Sequence, residues 1–293
     1  MKPAPFLYFA PSSIEQAIEL LARHGAEARP LAGGQSLIPL LNFRRIRPAA
    51  IVDLGGIAEL GGIHGSEGAL RIGAMTRQRA VERDPRIATL APLLALAMPW
   101  IAHAEIRNRG TIGGSLSHAD PCAELPAVML ALGATMHARS VRGDRMVAAD
   151  DFITGAFTTA LQPDELLVEV EIPVLEPRTT HAFEEVARRH GDSSLFGVAA
   201  SVTTDSDGRC TAIRIAAMST AAGARRLTSA ERVMAGAIPD PRSIADAAEA
   251  AATEVEVIGD FNASPAFRRH LARVLTRRVL ARACSISPDS PAR

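Results

Sequence analysis

The chain has 293 residues, 47% of them hydrophobic, and its 32 basic and 32 acidic side chains cancel to a formal net charge of zero. That length predicts two or three subdomains rather than one core, and the missing basic excess argues against a nucleic-acid binder. Lys2 is the sole lysine, so a buried Schiff-base lysine is not expected; three scattered cysteines, Cys122, Cys210 and Cys284, form no CxxC pair and argue against an iron–sulfur cluster, a structural zinc or a disulfide scaffold within the chain.

Ser12-Ser13-Ile14-Glu15-Gln16 is a helix-start pattern, and Ile14, Ala17, Ile18, Leu21 and Ala22 recur at helical spacing until Gly25. Arg29 to Ala32 reads as a short strand, and Ile51 to Leu54 as another, closed by Gly55-Gly56. Strand character returns at Ala69 to Gly73, followed by helices from Thr76 to Val81 and from Ile87 to Met98. Pro126 to Leu132 is a short helix; Ala134 to Arg139 and Leu166 to Ile172 are strands, and Pro173 to Pro177 is a linker. Beyond it, Val198 to Thr203 and Ala212 to Ala217 are strands joined through the turn Asp205-Ser206-Asp207-Gly208. Ile244 to Ala252 and Pro265 to Ala283 are helical, and Ser287 to Arg293 is expected to fray. The longest apolar stretch, Ala91 to Ala104, is interrupted by Pro92, Pro99 and His103 and is too short to span a bilayer. The N-terminus lacks the apolar run of a signal peptide, and with the free cysteines it predicts a cytoplasmic protein.

Two segments carry paired glycines: Leu31-Ala32-Gly33-Gly34-Gln35-Ser36-Leu37 and Thr111-Ile112-Gly113-Gly114-Ser115-Leu116. Glycine permits positive φ and close backbone approach, and successive exposed N–H groups make an anion-binding concavity. One such loop is as well explained by a tight strand-to-helix turn; two suggest a grip on the two phosphates of a dinucleotide. No GxGxxG, GxxxxGK[ST], HExxH or GxSxG occurs, which removes the standard Rossmann, P-loop, zinc-protease and serine-hydrolase patterns.

The first segment continues as Ala32-Gly33-Gly34-Gln35-Ser36-Leu37-Ile38-Pro39. The second extends from Ile106-Arg107-Asn108-Arg109-Gly110 through Ala119-Asp120-Pro121-Cys122-Ala123-Glu124-Leu125-Pro126. In both, and in the distance between them, the chain resembles the FAD-binding medium subunit of the molybdenum hydroxylases, the group of aerobic carbon monoxide dehydrogenase and xanthine dehydrogenase. Arg226-Leu227, Ala230-Glu231 and the helix from Phe267 to Ala283 extend the resemblance to the C-terminal part, so it covers essentially the whole chain.

The resemblance implies an α+β architecture. It comprises a two-subdomain FAD-binding fold of the vanillyl-alcohol-oxidase-like (PCMH) type, residues 1–56 and 57–175, then a C-terminal α+β domain of antiparallel strands and helices, 176–286, and a tail, 287–293. FAD is expected between the first two parts, with Ala32, Gly33, Gly34, Gln35, Ser36 and Leu37 on one side of the pyrophosphate and Thr111, Gly114 and Ser115 on the other. Arg29 stands where a cation suits the phosphates or the adenosine edge, against the simpler description of a surface arginine. Glu124, and with less specificity Asp120, stands where a carboxylate binds ribityl or ribose hydroxyls; a first-turn acid or N-cap is the plainer alternative. Leu166 or Leu167 is expected beside the flavin or simply in a core strand. Ser193 replaces an aromatic residue common in relatives after the Gly-Asp pair, leaving Phe196 to compensate or to pack in the core. His103, His118 and His137 have no paired metal-ligand spacing, and no catalytic acid, base or nucleophile is assigned.

The implied activity is electron relay. FAD would collect electrons from two [2Fe–2S] clusters of a small subunit, fed by a large subunit with a molybdenum cofactor, in a dimer of heterotrimers, and pass them to an external acceptor. A stand-alone flavin oxidoreductase of the same wider fold, or a scaffold subunit without flavin, are the alternatives.

Overall fold

The computed structural model describes residues 2–65 and 68–286, so the expected frayed tail lies outside the described residues. Strand β1 (Leu7–Phe9) precedes helix α1 (Ile14–His24), which Ser13 caps by accepting from the Gln16 amide and Gly25 ends. Ile14, Ala17, Ile18 and Leu21 form its buried stripe. Strand β2 (Ala28–Leu31), helix α2 (Leu37–Asn42) and strand β3 (Ala50–Asp53) complete the unit. The three strands form a parallel sheet in the order β1-β3-β2, so the turn after β2 and the end of β3 open on the same edge.

Strands β4 (Ile63–Gly65) and β5 (Ala69–Gly73) lead into a run of short helices: α3 (Gln78–Arg83), α4 (Pro85–Leu90), α5 (Pro92–Ala97), α6 (Ala104–Arg107), α7 (Ile112–His118) and α8 (Glu124–Leu132). The expected helix from Ile87 to Met98 is two, because Pro92 cannot donate to the carbonyl a turn earlier and its ring blocks the ladder. Then come β6 (Thr135–Ser140), β7 (Gly143–Ala148), α9 (Ala149–Phe152), the small hairpin β8 (Ile153–Gly155) with β9 (Thr158–Thr159), and β10 (Leu166–Pro173). The sheet order is β4-β5-β10-β6-β7, with β10 antiparallel to both neighbours.

The C-terminal part holds β11 (Thr179–Val186), β12 (Phe196–Thr204), β13 (Cys210–Met218) and β14 (Arg225–Arg226) in one antiparallel sheet. Helices α10 (Thr228–Met234), α11 (Pro241–Glu254) and α12 (Pro265–Ala283) cover one face. The other face packs on α8, all nine of whose residues are buried. Helix α8 therefore lies between two sheets, and Met129 shares one core with Val170 of the first sheet and Met218 of the second.

Among the described residues no helix is long and apolar enough to cross a membrane. Truncation of a fully buried side chain in the shared layer leaves a cavity. Met129→Ala is expected to lower the free energy of urea unfolding by about 2–5 kcal/mol, without changing far-ultraviolet circular dichroism.

Candidate functional site

The first glycine segment forms a turn between β2 and α2. Gly34 adopts φ 75°, the left-handed region. Gly33 is buried against the other segment: a Cβ there would sit 2.3 Å from the Arg109 carbonyl oxygen and 2.8 Å from Gly110 Cα. The two segments thus touch backbone to backbone. No hydrogen bond from the amides of Gly33, Gly34, Gln35 or Ser36 to a protein acceptor occurs among the described residues. The Gln35 side chain donates back to the Gly33 carbonyl at 3.2 Å.

The second glycine segment is not a loop of the same kind. It is the first turn of α7, capped by Thr111, whose hydroxyl oxygen accepts from the Gly114 amide at 3.0 Å. The Ile112 amide donates to Thr76, that of Gly113 to Ala74, and that of Ser115 to Thr111. The expectation of two equivalent amide cradles is corrected accordingly. Gly114 and Ser115 spend their amides internally, and Ser115 keeps its hydroxyl for a ligand; the Thr111 hydroxyl accepts from Gly114 and can still donate its own proton. Gly114 still faces the first turn, where a Cβ would lie 3.3 Å from that of Ala32.

Between the segments opens a cleft of about 470 Å³, lined by Leu31 to Gln35, Ile38, Pro39, Asp53, Gly55, Arg77 and Arg109. Ser36 and Leu37 follow at the start of α2, outside this lining. Asp53 is held by the Gly55 amide at 2.9 Å and the Tyr8 hydroxyl at 2.6 Å. Sequence reasoning missed Asp53, Arg77 and Arg109. Arg109 stands within the motif itself, but nothing local in the sequence marks Arg77, which pairs with Thr111 only in the folded chain.

Arg29 lies elsewhere. Its guanidinium donates to the carbonyls of Ala26 and Ala28, and it lines a second cleft with Glu27, Ile46 and Arg47. Leu167 is 3% exposed in the central core, which matches the plain core-strand description. Asp120 accepts from the Cys122 amide at 2.9 Å in a turn before α8 and is not its N-cap, which is Ala123. Ser193 is exposed, and Phe196 is fully buried in the C-terminal core, so Phe196 does not replace a covering aromatic side chain. Trp100, the single tryptophan, stacks on His190 and tilts against Phe183, joining the 188–194 turn to the second unit. His137 comes together with Glu169 and Glu171 within 4.8 Å, but Arg71 is within salt-bridge distance of both carboxylates, so the group reads as a cross-strand ion-pair ladder.

Glu124 begins α8 and is 8% exposed; burial pushes its carboxyl up to about 7, the Asp120 charge adds to the rise, and its backbone hydrogen bond and Arg107 oppose it. The Arg107 guanidinium is itself committed to Glu82 and to the carbonyls of Ile101 and Ala102. Across the seam, Glu185 of β11 is 4% exposed and is pushed up to about 8, by burial first and then by the Glu124 charge. Both Glu185 carboxylate oxygens and the Ser194 hydroxyl are buried without a hydrogen-bond partner among the described residues. Unmet polar groups of this kind usually await a water or a ligand. Two features of the site fit a flavin dinucleotide: free amides and arginines beside an open cleft, and buried hydrogen-bonding groups left open at a seam. Glu185 was not singled out from the sequence, because a lone glutamate in a strand carries no local signal of burial.

Comparison with known proteins agrees with this geometry. The family described as "FAD binding domain in molybdopterin dehydrogenase" matches residues 4–175, and "CO dehydrogenase flavoprotein C-terminal domain" matches 181–283. The 6-hydroxypseudooxynicotine dehydrogenase complex subunit alpha of Paenarthrobacter nicotinovorans is 41% identical over 97% of this chain and 96% of its own length. Among solved structures, quinoline 2-oxidoreductase from Pseudomonas putida 86 superimposes with a TM-score of 0.91 at 41% identity, covering 97% of this chain and 99% of that one. Carbon monoxide dehydrogenase from Hydrogenophaga pseudoflava gives 0.94 at 34%, covering 97% and 99%.

The two raised carboxyls set a pH dependence. In the unfolded chain both ionise near 4.5, whereas in the fold they do so near 7 and 8. The stability of the protonated pair is therefore fully present below about 4.5 and is lost as pH rises through 7 and 8. Melting temperature is expected to fall from pH 5 to pH 9, and Glu185→Gln to flatten that fall, matching the parent in acid and exceeding it in base when both are followed by differential scanning fluorimetry.

Proposed function

The chain belongs to the FAD-binding medium-subunit family of the molybdenum hydroxylases, and from that premise we propose that it relays electrons from the [2Fe–2S] clusters of a small partner subunit, through its own FAD, to an external acceptor. It is an FAD-binding flavoprotein and a component of an oxidoreductase. The observation that carries the relay reading is one cleft lined by Gly33, Gly34 and Gln35, whose amides have no protein acceptor among the described residues, together with Arg77 and Arg109, and with no nucleophile or acid–base pair among the described residues of that lining. FAD, when bound, supplies one- and two-electron redox chemistry, and the protein supplies position and charge.

In this reading Ala32, Gly33, Gly34, Gln35 and Ser36 hold the pyrophosphate through their backbone, Leu37 fixes the start of α2 behind them, and Ser115 adds its hydroxyl. Thr111 and Gly114 set the spacing from the opposite side. Glu124 and Asp120 serve the ribityl or ribose hydroxyls, and Leu167 stays a core-strand residue rather than a wall of the site. Arg29, in the second cleft, suits the adenosine edge rather than the phosphates. The parts 1–56 and 57–175 clasp the cofactor between them, and 176–286 closes the flavin end.

The partners in this proposal are a large subunit with a molybdenum cofactor and the iron–sulfur small subunit, assembled as a dimer of heterotrimers in the cytoplasm. The relatives' names support the presence of partner subunits: one is a subunit of a dehydrogenase complex, and the Hydrogenophaga structure is described as a form that lacks the Mo-pyranopterin moiety of the molybdenum cofactor.

Substituting valine at Gly33 forces apart two backbones in contact, and at Gly114 it meets Thr111 and Ala32. Gly33→Val with Gly114→Val is expected to abolish FAD retention, read as loss of flavin absorption in purified protein that keeps its circular dichroism. Flavin that stays bound after both changes contradicts the site. Co-purification of the chain with partner subunits carrying molybdenum and iron, and reduction of its flavin by the reduced clusters in stopped flow, is the expected outcome for the relay.

A further inference from the structure

Arginines near the cleft divide into two groups. Arg71, Arg79, Arg86 and Arg107 are each tied to a carboxylate. Arg77 and Arg109 are not: among the described residues no carboxylate lies within ion-pairing distance of either. The Arg77 guanidinium donates to the Arg109 carbonyl, the same oxygen that packs on Gly33, and its backbone bridges to Thr111. Among the described residues Arg109 has no side-chain hydrogen-bond partner, and it is an exposed residue of the cleft lining. The only acid in the lining among the described residues, Asp53, is occupied by Tyr8 and Gly55.

From this we infer that Arg77 and Arg109 form a two-armed cationic clamp on the diphosphate of the bound dinucleotide, and that this clamp makes the site select a diphosphate over a monophosphate. The inference rests on the FAD reading above and adds to it the side chains that neutralise the ligand. Free amides at Gly33 to Ser36 give oriented partial charges but no net charge, whereas a diphosphate carries about two negative charges. Two guanidiniums balance that, and each presents a planar fork suited to phosphate oxygens. Arg77 has a dual position: one nitrogen holds the backbone at the loop contact, leaving the other donors for the ligand. Arg109 has no internal duty, so its charge is available in full.

The test is titration of the flavin-stripped chain with FAD, followed by flavin fluorescence, at low and at high salt. It uses the parent, Arg77→Gln, Arg109→Gln, the double variant and Arg109→Lys. A charge-assisted hydrogen bond corresponds to about tenfold or more in affinity. Each glutamine change is therefore expected to weaken FAD by about that factor and to reduce the loss of affinity with salt. Arg109→Lys is expected to keep most of the salt dependence. ADP is expected to displace FAD better than AMP does from the parent but not from the double variant, a contrast that a purely structural role would not create. Should Arg77→Gln fail to fold, Arg109→Gln alone carries the test, since its side chain supports nothing internal. Parent-like affinity and salt slope in Arg109→Gln overturn the clamp while leaving the FAD site intact. A parent chain that binds no FAD overturns the underlying reading and the clamp with it.

Discussion

A missing side chain governs the site. At Gly33 the chain of the first turn lies on the carbonyl of Arg109 and the Cα of Gly110, with no room for even a methyl group. That contact fixes the spacing between the turn after β2 and the segment that leads into α7. The supports behind it form a series: Arg77 holds the Arg109 carbonyl, Gln78 donates its amide to the Gly110 carbonyl, and Gly113 rests on Ala74. The first turn is an irregular link whose amides have no protein acceptor among the described residues. The second is the capped start of a helix. Two similar glycine pairs thus do different physical work.

The seam between α8 and the C-terminal sheet works by the opposite principle, through burial. An entirely buried helix with sheets on both sides welds the last third of the chain to the preceding unit. Setting Glu124 and Glu185 into such a seam is costly, because carboxylates removed from water lose solvation that Arg107, already committed to Glu82, does not return. The fold tolerates them by favouring the protonated forms. Groups kept neutral at a cost in stability mark a place where apolar packing alone did not decide the sequence.

Much of this was legible in the chain, and the reasons differ by element. The start and end of α1 follow from Ser13 and Gly25, and α12 runs from Pro265 to Ala283 as its pattern predicts, because caps and prolines act locally. The two glycine segments were legible as a motif but not as geometry, since a helix turn and a loop can carry the same letters. Strands β1, β7 and β11 were not marked. The first is three residues long, the second has a single buried position, and in the third Glu185 occupies a buried position where an apolar residue is the usual signal. Arg77 lies far from Arg109 in sequence, and only tertiary structure brings their side chains to one cleft. Sequence pattern reports caps, breaks and alternation; it does not report which distant elements share a wall.

The position of β10 has a consequence for how the protein is made. In the five-stranded sheet β10 sits between β5 and β6, although it follows β6 and β7 in the chain. The Ala74 amide, on whose residue Gly113 rests, donates to the Val168 carbonyl of that late strand. On a ribosome adding about 5–20 residues per second, both glycine segments emerge before the strand that completes their platform. For that interval β5 and β6 each present an unpaired edge to the surroundings. The nascent chain therefore passes through a stage in which both glycine segments have emerged and the sheet behind them is incomplete, a stage at which a chaperone has edges to shield.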